Sequence, residues 1–138
     1  MSKSYGGSCL CRAVGFQVDG FGSDIGHCHC SMCRKFHGAA FATIASVKGF
    51  RWLRGEETLA SFTADNGTTR TFCSICGSSL TFSSPRAAGN HVEVALGAFD
   101  DELPVIPDAH IFVRYRANWT MLDDKLPKFS EGRGSQRE

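Results

Sequence analysis

Apolar and polar residues alternate with a period of two over short stretches of this 138-residue chain, and glycines interrupt the stretches. Val14, Phe16 and Val18 show the pattern at its cleanest: every second position is apolar, as in a strand with one buried face. Stretches rich in Phe, Val, Thr and Ile predict strands over 13–18, 40–47, 50–53, 59–62, 69–72, 79–82, 92–96 and 110–113. Asp65-Asn66-Gly67 predicts a tight turn joining two antiparallel strands. Helix is scarce, with one turn or so over 31–36 that Gly38 stops. The segment 100–108, carrying Pro104 and Pro107, reads as loop. The fold class is therefore mainly β, with one or two short helical turns. A single domain is expected over 1–126. From Pro127 the chain turns polar, which predicts a loose tail over 127–138.

Composition changes this picture little. Hydrophobic residues at 42% and charged residues at 21% suit a globular domain, and eleven Phe against two Trp and two Tyr point to a core built on Phe. A formal net charge of +1 gives no basis for nucleic acid or an anionic membrane as main partner. Arg114-Tyr115-Arg116 is the densest basic stretch, and it reads as a strand edge or a solvated face. The first residues carry no apolar signal core, and no apolar run approaches the roughly 20 residues that span a bilayer. A cytoplasmic location is expected. Thiols stay reduced there, so clustered cysteines point to metal rather than to disulfides.

All seven cysteines fall into three clusters: Cys9-x-Cys11, Cys28-His29-Cys30-x-x-Cys33 and Cys73-x-x-Cys76. An odd number cannot close as disulfides, and two four-cysteine sites would need eight. Four plus three is the natural division. Cys9, Cys11, Cys73 and Cys76 would form a closed, structural tetrahedron, and Cys28, Cys30 and Cys33 would leave zinc one position for water or substrate. An extended backbone puts Cys9 and Cys11 on one side. Cys73 and Cys76 form a knuckle, with Gly77 free to take positive φ. Cys28 and Cys30 share a face if extended, and Cys33 joins them if a helical turn begins near Cys30. A second division pairs Cys30 and Cys33 with Cys73 and Cys76, although nearly forty residues intervene, where such ribbons use about 15 to 20.

Histidine is a further candidate for the fourth position. His27, His29 and His37 all lie close in sequence, and Cys33-x-x-x-His37 has ligand spacing, whereas His29 between two ligands should point away from the metal. Arg34 and Lys35 either offset a net −1 zinc–trithiolate, attract an anionic substrate, or face water.

These residues resemble a known family. Gly7-Ser8-Cys9-Leu10-Cys11, Cys28-His29-Cys30-Ser31-Met32-Cys33-Arg34-Lys35 with Gly38-Ala39, and Cys73-x-x-Cys76-Gly77 are similar to the glutathione-dependent formaldehyde-activating enzymes, a family that includes centromere protein V. Leu96-Gly97-Ala98-Phe99-Asp100, Pro107-x-x-His110-Ile111-Phe112 and Trp119 match its later segments. The resemblance implies a β-tent of small antiparallel sheets pinned by zinc. It implies structural zinc on Cys9, Cys11, Cys73 and Cys76, and catalytic zinc on Cys28, Cys30 and Cys33. The implied activity is a carbon–sulfur lyase that joins glutathione, or another small-molecule thiol, reversibly to formaldehyde or a similar aldehyde. His29 and His110 are candidate proton donors with a structural role as the simpler reading, and Trp119 is read as core before pocket. The alternative function is a non-catalytic zinc module that binds a protein partner.

Overall fold

A computed structural model describes residues 3–85 and 91–138. The chain divides into two compact units, Met1–Ser23 with Ala45–Val105, and Asp24–Ile44 with Ile106–Glu138. The strands β3 (Gly20–Cys28) and β4 (Ala42–Lys48) contribute residues to both.

The first unit is built from antiparallel β structure. β1 (Tyr5–Ser8) pairs with β2 (Gly15–Val18), placing Gly7 opposite Phe16, and β2 pairs in turn with β5 (Arg51–Arg54). A meander of β6 (Leu59–Thr63), β7 (Thr69–Cys73), β8 (Ser79–Ser83) and β9 (Glu93–Ala95) completes it. The Asp65-Asn66-Gly67 turn joins β6 to β7 as expected, with Gly67 at a φ of 89°. Val14, Phe16 and Val18 are all fully buried, and they pack with Cys9, Cys73, Leu80 and Val94 in one core cluster. Around Phe16 stand Phe50, Trp52 and Phe99, with ring centroids at 5.6, 6.3 and 5.2 Å. Phe16 is the one Phe in the buried cluster; Phe21, Phe50 and Phe99 are only partly buried and pack against it from outside, so the innermost core is built on Val, Leu and Cys rather than on Phe.

Two strands escape the sequence pattern. β1 and β3 carry glycine where alternation would show apolar side chains. The reason is close approach: a Cβ on Gly7 would collide with the Phe16 ring and the Ala98 carbonyl.

The second unit holds the end of β3, the only α-helix among the described residues, α1 (Ser31–His37), the start of β4, and β10 (His110–Ile111). β10 runs parallel to β3, with His110 opposite His27 and Ile111 opposite Cys28. Gly38 caps α1 at a φ of 62°, and its N–H bonds the Arg34 carbonyl. The predicted strand over 110–113 stops early because Phe112 turns to a φ of 57° and a 3₁₀ turn, Val113–Tyr115, follows. Arg114, Tyr115 and Arg116 are exposed, as a solvated face requires, but they stand on and beside this turn rather than on a strand edge.

The closing residues are not loose. Phe129 N–H bonds the His110 carbonyl and His110 N–H bonds the Pro127 carbonyl, both at 2.9 Å, so the segment lies alongside β10. Ser130 N–H to Gln136 O and Glu138 N–H to Lys128 O then fold the terminus back on itself. Polarity misleads here because the binding is through backbone groups, which composition does not report. No helix among the described residues is long and apolar enough to cross a membrane.

Candidate metal centres

Two groups of cysteines are assembled, each within one unit. The ligand atoms of Cys9, Cys11, Cys73 and Cys76 all lie within 4.8 Å of one another, as do those of Cys28, Cys30 and Cys33. Among the described residues no histidine, aspartate or glutamate joins either group. The pairing of Cys30 and Cys33 with Cys73 and Cys76 is not formed.

The four-cysteine group is made by two turns. Cys9 and Cys11 are not extended, as alternation suggested. Arg12 N–H bonds the Cys9 carbonyl at 3.0 Å, and Arg12 itself takes a φ of 68°. This turn brings the two sulfurs to 3.6 Å, with Cys11 Sγ lying 3.8 Å from Cys73 Sγ. Facing it, Gly77 at a φ of 79° donates its N–H to the Cys73 carbonyl at 2.8 Å, closing the knuckle. Val14 N–H points at Cys9 Sγ, and Ser78 Oγ stands 3.2 Å from Cys76 Sγ. The Ser78 hydroxyl bond, opposed by burial, brings the Cys76 thiol from 9.0 to about 5. Cys11 moves the other way: against a lowering backbone bond from Ala13, burial and its contacts with the other three cysteines push it up to about 11, so Cys76 favours thiolate before any ion arrives and the group as a whole does not.

The three-cysteine group uses a strand end and a helix start. Cys28 closes β3, Cys30 is the N-cap of α1, and Cys33 lies in its first turn. Cys30 Sγ accepts from Cys33 N–H at 3.4 Å, the bond a serine or aspartate cap usually takes. His29 N–H bonds the Ile111 carbonyl at 2.9 Å and fixes the backbone between the first two sulfurs. The Cys28 thiol is pushed far up, first by its hydrogen bonds with Cys30 and Cys33 and then by burial. Three crowded thiols cannot ionise together on their own, and a divalent cation reverses that balance. Both donor sets therefore fit a thiophilic ion such as zinc.

The histidines form a different structure. His29 and His110 are fully buried. His29 Nε2 lies 2.8 Å from His110 Nδ1, and His110 Nε2 lies 2.8 Å from a carboxylate oxygen of Asp124. Asp124 also accepts from Lys128 Nζ and Leu126 N–H, both at 3.1 Å. The bond from His110, and with it Lys128, holds its carboxyl well below the usual range despite desolvation. His27 turns to Thr43 Oγ1 at 2.8 Å and packs on Phe41, and burial, then His110, lowers its pKa. Sequence reading missed Asp124 altogether. Lying fourteen residues beyond His110, it belongs to no motif with it. Trp119, expected in the core, is 67% exposed, and Lys35 faces water.

Burial first, and then the charges of His110, His27, Arg116 and Arg34, bring the His29 pKa from 6.5 to about 4. The unfolded chain therefore takes a proton that the folded ring refuses. Stability present above pH 6.5 is lost as the pH falls from 6.5 towards 4. At about 1.4 kcal/mol per pKa unit the loss is on the order of 3 kcal/mol. Denaturant melts of the wild type and His29→Gln across that window should show the wild type falling more steeply. Parallel curves would refute the assignment.

Known proteins resemble this chain over most of its length. A Halomonas elongata protein named "Putative glutathione-dependent formaldehyde-activating enzyme" is 30% identical over 128 residues, spanning 86% of this chain and 81% of its own. A crystal structure of a Rhodobacter sphaeroides protein superposes with a TM-score of 0.58 at 26% identity, covering 72% of this chain and 91% of that one. The family described as glutathione-dependent formaldehyde-activating enzyme matches residues 4–115, which include all seven cysteines. The chain belongs to the glutathione-dependent formaldehyde-activating enzyme family.

Proposed function

We propose that this chain is a zinc-dependent carbon–sulfur lyase that adds a thiol, glutathione first, reversibly to formaldehyde or another small aldehyde. The observation that carries the reading is a three-cysteine group with no fourth protein ligand among the described residues, in a chain that also holds a complete four-cysteine group. Family membership supports the substrate pair. In the addition the thiol sulfur bonds to the carbonyl carbon, the carbonyl oxygen becomes a hydroxyl, and the thiol proton ends on that oxygen. Reversal breaks the same carbon–sulfur bond.

Held by Cys28, Cys30 and Cys33, zinc would supply a Lewis acid with one open position, where a thiol is deprotonated at neutral pH. The remaining work falls to the chain. The His29 to Ile111 backbone bond and the α1 cap hold the three sulfurs together without a fourth side chain. Three thiolates with a divalent ion would carry one negative charge, and Arg34, the residue after Cys33 in α1, is the candidate to offset it. Cys9, Cys11, Cys73 and Cys76 serve as the structural site.

The closed and open sites should differ in lability. Freshly purified protein is expected to carry about two zinc ions per chain, and mild chelation should leave about one, because four thiolates hold zinc in a closed shell while three leave a vacancy. Exchange of formaldehyde between free and glutathione-bound forms, followed by NMR, should run faster with the fully loaded protein. Chelation should bring it back to the spontaneous rate, and zinc should restore it. Equal rates in all three samples, across several thiols and aldehydes, would sink the enzymatic reading.

A further inference from the structure

Among the described residues the outer strands are β1, β5, β6 and β10, and all but β6 are protected. The backbone of Lys128 and Phe129 lies along β10. β1 is met by Phe99 and Asp100, whose N–H bonds the Gly6 carbonyl at 2.9 Å. β5 begins and ends on arginine. An open edge is a template for another strand, so proteins cover such edges or place charge or proline on them. β6 has none of these devices. It reads Leu59-Ala60-Ser61-Phe62-Thr63, and Phe62 is 65% exposed.

The register with β7 shows which backbone groups this edge offers. Ser74 N–H bonds the Thr58 carbonyl and Ala64 N–H bonds the Thr68 carbonyl, so even-numbered residues turn their backbone groups to β7. Leu59, Ser61 and Thr63 therefore turn theirs outward. Leu59 N–H is taken by the Glu56 carbonyl. The donors on offer are Ser61 N–H and Thr63 N–H, and the acceptors are the carbonyls of Leu59, Ser61 and Thr63. The Ser61 and Thr63 hydroxyls are engaged elsewhere, by those of Thr71 and Thr69 at 2.8 Å.

We propose that β6 pairs antiparallel with β6 of a second copy of this chain, about a two-fold axis at Ser61. A strand fits its own copy when residues equidistant from its centre complement each other, and here they do. Ala60 and Phe62 flank Ser61, so Phe62 of each copy faces Ala60 of the other. That pair shares no hydrogen bonds, and its side chains approach closest. A ring over a methyl group fills space without a clash, and both exposed rings leave water. Ser61 exchanges N–H and C=O with Ser61 of the second copy, and each Thr63 N–H reaches the opposite Leu59 carbonyl. Both free donors are then used. The contact is isologous and closes at a dimer. No charge lies within the paired stretch. Glu56, Glu57 and Asp65 stand just outside it and are all acidic, so the dimer is reversible and tightens as salt screens them.

Sedimentation equilibrium of the zinc-loaded chain from micromolar to millimolar concentration tests this, with a monomer–dimer equilibrium expected. Ser61→Pro should weaken the dimer at least roughly tenfold, because it removes a donor that β7 does not use, once from each copy. Phe62→Lys should abolish it by setting like charge along the edge. In the wild type, hydrogen exchange at Ser61 and Thr63 N–H should slow as concentration rises, while Ala64 N–H, already bonded to Thr68, stays unchanged. A chain that remains monomeric over the whole range overturns the inference. So does a dimer that both variants leave intact, or one in which Ser61 and Thr63 exchange at the monomer's rate. The wild-type exchange decides even where a variant fails to fold.

Discussion

Replacing Cys73 by serine is expected to leave no stable folded protein at room temperature. Cys73 ends β7 fully buried, its sulfur lies 3.8 Å from that of Cys11, and its backbone holds both Ser78 O and Gly77 N–H. It belongs at once to the four-cysteine group and to the apolar cluster of Phe16, Val14 and Leu80. A structural zinc contributes on the order of 10–16 kcal/mol of apparent binding free energy, against a total stability of about 5–15 kcal/mol for a domain. Serine is not a thiolate, so most of the first quantity is lost. Circular dichroism should show lost cooperativity, and size exclusion should show aggregates. A sharp melt within a few degrees of wild type would mean that these four cysteines do not hold a structural ion.

The site was more legible than the scaffold around it, and the reason is physical. Ligand chemistry is carried by residue identity, so clustered thiols announce themselves in any fold. The turn at Cys9 and Cys11 could not be read, because its cause is Arg12 at positive φ, a conformation no arginine advertises. Similarly, β1 and β3 were invisible because glycine interrupts the alternation, at Gly7, Gly22 and Gly26 where a neighbour leaves little or no room for a side chain. The docked terminus and the Asp124–His110–His29 chain share a third cause. Both are long-range hydrogen bonds between residues with no fixed spacing, and only the folded backbone brings them together. Where the strand reading succeeded, as in Val14, Phe16 and Val18, one face was buried without interruption.

Cys30→Ser should give the opposite outcome to Cys73→Ser: a folded protein without catalysis. Cys30 is the N-cap of α1, and its sulfur does what a hydroxyl does well, accepting the Cys33 N–H. Serine preserves the cap, and Gly38 still closes the other end of the helix. The residue is only partly buried, so the change leaves no deep cavity. What disappears is one of three thiolates, and two cannot hold zinc firmly with a substrate position still open. The melting temperature is expected to move by a few degrees only. The zinc count should fall to about one per chain, the ion kept by the closed four-cysteine site. Exchange of formaldehyde onto glutathione should drop to the spontaneous rate. Exchange that persists in the folded, one-zinc protein would place the chemistry elsewhere than Cys28, Cys30 and Cys33. Collapse as complete as that of Cys73→Ser would instead give the three-cysteine group the structural role.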